Sequence, residues 1–279
     1  MSSRPRPPER LEKRLARVAR ELGLDQERLR RWISFLALCG VLERALEEGV
    51  LGTYCLKGGV AMELRFAQRA RATKDLDLGM EGTRASRLQA LAEALRLSFD
   101  DFTFRVKAQT RDMEQADTVR VQVAIQYRTR AWQTIEVDLG AAKAGHVDLV
   151  EPRVQGLLEL GISVISHVRC LGLADQVAQK LHACTGPASG GRARDVLDIL
   201  LIDMLGELDY RETAYAARRV FEQRATHAFP PEFVMPEEWR PELEGLADEL
   251  GFPLRTSAAI EQRFLEVIQM LERAARADG

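Results

Sequence analysis

Two carboxylates stand two residues apart in Asp75-Leu-Asp77-Leu78, where alternating polar and apolar residues predict a β-strand. Successive side chains on a strand point to opposite faces, so Asp75 and Asp77 emerge together while Leu76 and Leu78 turn to the core. Two like charges that close repel, and a fold accommodates them in one of two ways. Either the strand face is fully solvated, or a divalent cation bridges the carboxylates, as in two-metal phosphoryl-transfer sites with ions about 3.5–4 Å apart. The same alternation in Ile135-Glu-Val-Asp-Leu139 leaves Glu136 and Asp138 on the polar face of another strand. Asp138 is then the candidate third carboxylate of a metal site.

Upstream, Tyr54-Cys-Leu-Lys57-Gly58-Gly59 is a short apolar run ending in a double glycine that opens a helix. At such a junction backbone N–H groups and the positive end of the helix dipole can hold phosphates. Basic residues flank these motifs: Arg65, Arg69, Arg71 and Lys74 before the aspartates, Arg192 and Arg194 after the glycine-rich loop 186–191. They suit either a solvated surface or the binding of phosphate groups.

Further charges sit on apolar helices. Only six of the 40 basic residues are lysines, and one of them, Lys180, lies at the edge of a stripe formed by Leu173, Val177, Leu181 and Cys184. A lysine there either snorkels to water or meets an anion. The next helix surrounds Asp195 and Asp198 with Val196, Leu197, Ile199 and Leu200, and a buried carboxylate needs a cationic partner. Lys180 is one candidate partner; for Asp198 the other is Arg194, one helical turn away. The four histidines are given no catalytic or metal role. The four cysteines form no CxxC pair and are expected to be reduced, mostly buried thiols.

Taken together, Lys57-Gly58-Gly59-x-Ala61-x-x-Leu64 and Arg71-Ala-Thr-Lys74-Asp75-Leu-Asp77-Leu78 resemble the first motif of the polymerase-β-like nucleotidyltransferases, and more specifically the AbiEii/AbiGii toxin group. That group's second hallmark is a helix with a single lysine followed by an Arg-Asp-x-x-Asp helix, matched by Lys180 and by Arg194-Asp195-Val-Leu-Asp198. Gln179 precedes the lysine where the group's pattern has an acid. The resemblance covers about residues 15–205. It implies an enzyme in which Asp75, Asp77 and Asp138 hold two Mg²⁺, with Mn²⁺ as an alternative, and Asp138 also helps activate an acceptor hydroxyl. Gly58 and Gly59, with Lys57 and Lys74, would cradle the phosphates of an NTP. Lys180 and Asp195, with Arg194 and Asp198, would serve the nucleotide site. It further implies the toxin of a toxin–antitoxin or phage-defence pair, an RNA acceptor such as the 3′ end of a tRNA, and a separately encoded antitoxin.

Elements able to position such groups are legible along the chain. Its 279 residues are 46% hydrophobic and 29% charged with a net charge of −2, an ordinary globular composition that excludes a generic polyanion binder. No uncharged apolar run approaches the roughly 18 residues of a membrane span. The polar, proline-rich first eight residues, expected to fray, lack the apolar core of a secretory signal, so no membrane partner and a cytoplasmic location are expected. Period-2 runs at Phe102–Ala108, Thr118–Tyr127 and Thr134–Leu139 join the Asp75–Leu78 strand in a mixed sheet of at least four strands, and residues 84–97 read as an amphipathic helix. From Leu171 the pattern is helical, with helices at Leu173–Cys184, Arg192–Leu205 and near residues 211–225 and 257–275.

The expected fold is therefore α+β: a nucleotidyltransferase-like mixed β-sheet with flanking helices, plus a helical C-terminal half. The expected division is an N-terminal helical segment (1–50) packing on a nucleotidyltransferase core (51–168), then a helical domain (169–279). Asp75, Asp77 and Asp138 are expected to share one cleft, with Lys180, Asp195 and Asp198 facing or supporting it. Residues 18–33 also permit a helix-turn-helix with its turn at Gly23. On that alternative the chain is a non-catalytic nucleic-acid or protein-binding module, working through Arg28, Arg30 and Arg31.

Overall fold

The computed structural model describes residues 8–113, 117–142, 145–154 and 157–277; of the first eight residues, expected to fray, residues 1–7 lie outside the described part, whereas Pro8 already begins a helix. Helices α1 (Pro8–Glu21) and α2 (Gln26–Glu47) are joined through Gly23, whose φ of +65° suits glycine. Asp25 caps α2 by accepting from the Arg28 N–H at 2.8 Å. The stretch read as a helix-turn-helix thus runs into a 22-residue helix, and its would-be recognition face, Leu29, Trp32 and Ile33, is buried.

Then follow β1 (Tyr54–Lys57), α3 (Gly58–Phe66), a 3₁₀ turn (Ala67–Arg69), β2 (Asp75–Met80), α4 (Arg84–Ala94), β3 (Phe102–Met113), β4 (Thr118–Tyr127), β5 (Arg130–Ala141), β6 (Val147–Val150), the short α5 (Leu157–Leu160) and β7 (Val168–Leu171). Among the described residues the seven strands form one mixed sheet in the order β3-β4-β5-β2-β1-β7-β6. Strands β3, β4 and β5 make an antiparallel meander; β2 runs parallel to β5 and antiparallel to β1. The alternation that marks β2, β4 and β5 sends Leu76, Leu78, Val119, Val121, Val123, Val137 and Leu139 into the core, where α2 packs against β5 and α4. Each such burial contributes roughly 1.5–3 kcal/mol, which fixes the register and thereby the polar face.

The remaining helices are α6 (Leu173–Thr185), α7 (Ala193–Met204), α8 (Tyr210–Arg224), α9 (Trp239–Glu249) and α10 (Ser257–Ala277). Helix α6 packs on α7 and α8, and α10 on α7, α8 and α9. The chain resolves into two compact units: residues up to Ala67 with Ala72–Cys170, and Gln68–Arg71 with the chain from Leu171 onward. All four cysteines are free and buried. No described helix is long and apolar enough to cross a membrane.

Candidate active site

The polar face of the sheet is set by strand register. On the parallel strands β2 and β5, Asp75 stands level with Glu136 and Asp77 with Asp138, so four carboxylates emerge on one face. On the antiparallel neighbour β4, Arg120 stands directly opposite Asp138. Its guanidinium donates from Nε to Asp138 Oδ1 and from Nη2 to Asp138 Oδ2, both at 2.6 Å. The same group reaches Glu136 Oε2 at 3.1 Å and Asp75 Oδ2 at 3.4 Å. Asp75 is held above the usual carboxylate range by desolvation, with the charges of Asp138 and Glu136 adding to it against Arg120 and Lys74. The hydrogen bonds to Asp138 bind the Arg120 proton more firmly than usual.

The double glycine is required by close approach. Gly58 opens α3 at a φ of +57°, and a Cβ there would collide with Asp77 Oδ2. A Cβ at Gly59 would stand 2.7 Å from Thr73 Oγ1. Asp25, Thr83 and Asp209 cap their helices through a side chain, whereas Lys57, at the N-cap of α3, does not. Lys57 lies level with Asp77 across β1 and β2, runs over Gly79, where a Cβ would strike its Cε, and donates from Nζ to Ala141 O at 2.8 Å. Lys74 is exposed, and its charge is felt at Asp75.

Sequence reasoning missed two residues that hold this face in place. One is Arg120. The other is Glu63 of α3, a buried acid whose Oε1 accepts from Trp32 Nε1 at 2.8 Å and Arg28 Nε at 3.0 Å, while Oε2 accepts from the Thr73 N–H at 3.0 Å. Burial raises its pKa against the pull of those donors. Glu63 thereby fixes the chain two residues before Asp75 and takes up Arg28 inside the unit. Arg30 is likewise turned inward, paired with Glu12 and 4.4 Å over the Trp132 ring. These contacts remove two of the three arginines on which the helix-turn-helix alternative relied.

Among the described residues no group of three or more His, Cys, Asp or Glu is drawn together closely enough to hold a metal ion as it stands. The donor chemistry nevertheless fits a hard divalent cation: all four groups are carboxylates, they share a face, and a cationic guanidinium is already gathered among them.

The helical unit carries a second constellation. Lys180 Nζ donates to Asp195 Oδ1 and Asp198 Oδ2, both at 2.7 Å, with the three side chains 8%, 8% and 3% exposed. Arg71 reaches Asp198 Oδ2 at 3.2 Å, and Arg192 lies 3.5 Å from Asp195 Oδ2. Burial pushes Lys180 down, but the two aspartates more than reverse it; burial pushes Asp198 up, and Lys180 and Arg71 more than reverse that. The expectation that an anion meets Lys180 describes this cluster. The alternative pairing of Arg194 with Asp198 does not form: Arg194 is 56% exposed and bonds Glu242 Oε1 at 3.1 Å, because its position on α7 faces α9.

A family model described as the nucleotidyl transferase AbiEii toxin of type IV toxin–antitoxin systems matches residues 41–269. The chain belongs to the AbiEii family. The match contains both constellations, begins after the stretch read as a helix-turn-helix, and extends well past residue 205, where the motif resemblance ended. Membership makes this AbiEii protein a nucleotidyltransferase with an NTP substrate, in a family of toxins paired with antitoxins, and it overturns the non-catalytic alternative. A solved structure, the nucleotidyltransferase toxin MenT4 from Mycobacterium tuberculosis H37Rv, is similar at a TM-score of 0.61 and 17% identity, over 94% of this chain and 92% of that one. It shares the fold. An antigenic nucleotidyltransferase-like protein from Paracoccidioides brasiliensis matches at a TM-score of 0.41 and 16% identity, over 84% and 96% of the two chains. No curated protein matches the sequence.

Proposed function

We propose that this AbiEii protein moves a nucleoside monophosphate from an NTP to a hydroxyl of an RNA, with the 3′ end of a tRNA as the acceptor, and that Asp75, Asp77 and Asp138 hold two Mg²⁺ for the purpose. Mn²⁺ would substitute in the same sites. The observation that carries this is Asp77, level with Asp138 on a parallel neighbour and packed against Gly58 where α3 begins. Bound ions would supply charge neutralisation of an in-line displacement at the α-phosphate, in which the acceptor oxygen bonds phosphorus, the α–β phosphoanhydride bond breaks and pyrophosphate leaves.

The protein's own groups do the rest. Gly58 and Gly59 present first-turn backbone N–H groups to the β- and γ-phosphates, where the helix dipole favours negative charge. Lys57 and Lys74 add positive charge beside them. Asp138, at 13% exposure the least solvated of the carboxylates in contact with Arg120, orients the acceptor hydroxyl and takes its proton. Within the helical unit Lys180, Asp195 and Asp198 form the charge cluster that the motif resemblance assigns to the nucleotide. A cytoplasmic location and a separately encoded antitoxin complete the reading.

The test is incubation of the purified protein with each labelled NTP, Mg²⁺ and total RNA. Label should enter RNA from at least one NTP and not in the Asp77→Asn variant; no transfer from any NTP to any RNA overturns the reading.

A further inference from the structure

The carboxylate face carries a cation of its own. Register, not rotamer, puts it there: Arg120 is the cross-strand partner of Asp138, so its side chain must leave β4 on the same face. The guanidinium then grips both Asp138 oxygens at 2.6 Å, the bidentate arrangement in which arginine and carboxylate bind most strongly. A metal ion held by Asp138 would draw on lone pairs of one or both of those oxygens, and it would bring a double positive charge up to a guanidinium that is fully charged at any working pH.

We propose that Arg120 competes with the divalent cation for Asp138 and so sets how tightly the carboxylate face binds metal, an inference that rests on the metal site proposed above. Two effects of Arg120 oppose each other. It draws Asp75, Glu136 and Asp138 toward one point, which prepares the face for a cation. It also engages the oxygens that the cation would use. The distances decide between them: the hold on Asp138 is at 2.6 Å in two bonds, whereas Glu136 is reached at 3.1 Å and Asp75 at 3.4 Å. Engagement therefore outweighs preparation, and removing the guanidinium should strengthen metal binding although it leaves the carboxylates to repel one another.

The experiment is a titration of Mn²⁺ into the full chain, with free Mn²⁺ read by electron paramagnetic resonance, for wild type, Arg120→Gln, Arg120→Lys and Asp77→Asn. Loss of a charge-assisted bidentate pair should lower the Mn²⁺ dissociation constant of Arg120→Gln roughly tenfold. Arg120→Lys keeps the charge without the fork and should fall between, which also provides the test if the glutamine variant does not fold. Metal-free Arg120→Gln should melt below wild type and gain more from added Mn²⁺. Equal or weaker Mn²⁺ binding by Arg120→Gln, with wild-type binding that is lost in Asp77→Asn, overturns the competition alone. Absence of Mn²⁺ binding in both wild type and Arg120→Gln overturns the metal site and the competition with it.

Discussion

Lys180 and Asp198 meet at 2.7 Å in surroundings that water hardly reaches, and Arg71 approaches the same carboxylate oxygen at 3.2 Å. Removing the lysine leaves Asp195 and Asp198 buried together. Lys180→Met should therefore cost about 3–5 kcal/mol, read from urea unfolding at pH 7. The pH dependence has two limbs. Asp198 titrates below its unfolded value of about 3.9, so its contribution is present above that pH and lost as pH falls through the lower folded value. Lys180 titrates above its unfolded value of about 10.4, so its contribution is present below that pH and lost as pH rises through the higher folded value. Both limbs should shrink in Lys180→Met; a loss under 1 kcal/mol with unchanged limbs would contradict the cluster.

Asp77→Asn tests the metal reading with little change of volume. One charged oxygen ligand becomes an amide, so transfer should fall roughly 10²–10⁴-fold while the melting temperature without Mg²⁺ stays the same or rises. A fully solvated aspartate pair would leave both the rate and the melting temperature nearly unchanged.

Gly58 and Gly23 form a matched pair of variants. Both have positive φ, at +57° and +65°, but a Cβ at Gly23 meets nothing within 4 Å, whereas one at Gly58 strikes Asp77. Gly23→Ala should cost about 1–2 kcal/mol for the left-handed conformation and leave transfer intact. Gly58→Ala should add a loss of transfer, because Asp77 must move. Equal transfer rates in the two variants would show that the contact with Gly58 does not matter to the reaction.

These contrasts also show what the sequence could and could not say. Asp75, Asp77 and Asp138 were legible because strands β2 and β5 alternate cleanly, and the alternation fixes which side chains share a face. Arg120 has the right phase on its own strand, between Val119 and Val121. What placed it opposite Asp138 is the pairing of β4 with β5, a long-range choice that no local pattern encodes. Glu63 was hidden for the opposite reason: α3 is buried from Gly59 to Phe66, so it has no polar face on which an acid would stand out. Strands β1, β6 and β7 are four residues each, too short to show a period. Helix α9 was obscured by Pro241 in its first turn, a position where proline is tolerated, although Trp239, Leu243 and Ala247 share its buried side.

A run of hydrogen bonds in the helical unit gives a pH prediction of its own. Arg224 can only donate, so His182 Nδ1 accepts from its Nη1 at 3.2 Å and His182 carries its proton on Nε2. That proton goes to Thr226 Oγ1 at 3.0 Å, whose hydroxyl donates to His227 Nδ1 at 3.0 Å. His227 Nε2 donates to Thr185 Oγ1 at 2.9 Å, and that hydroxyl ends the run on Leu181 O at 2.7 Å. In this arrangement desolvation holds His227 below its usual pKa. Stability should then be greatest above the unfolded value of about 6.5 and decline as pH falls through the lower folded value. Urea midpoints at pH 7.5 and 5.5 should differ in wild type and differ less in His227→Asn; an unchanged difference would refute the order of donors.

The four residues Gln68–Arg71 group with the helical unit although the chain on both sides of them groups with the sheet. The polypeptide therefore enters the helical unit twice, and no single cut divides the molecule into its two units. A fragment ending at Cys170 keeps Arg71 but gives up Asp198, and a fragment starting at Leu171 keeps Lys180 and both aspartates but gives up one of their counter-charges. Splitting the coding sequence between strand β7 and helix α6 yields two halves that each carry part of one ion cluster, so they are suited to reassembly when co-expressed and poorly suited to separate study.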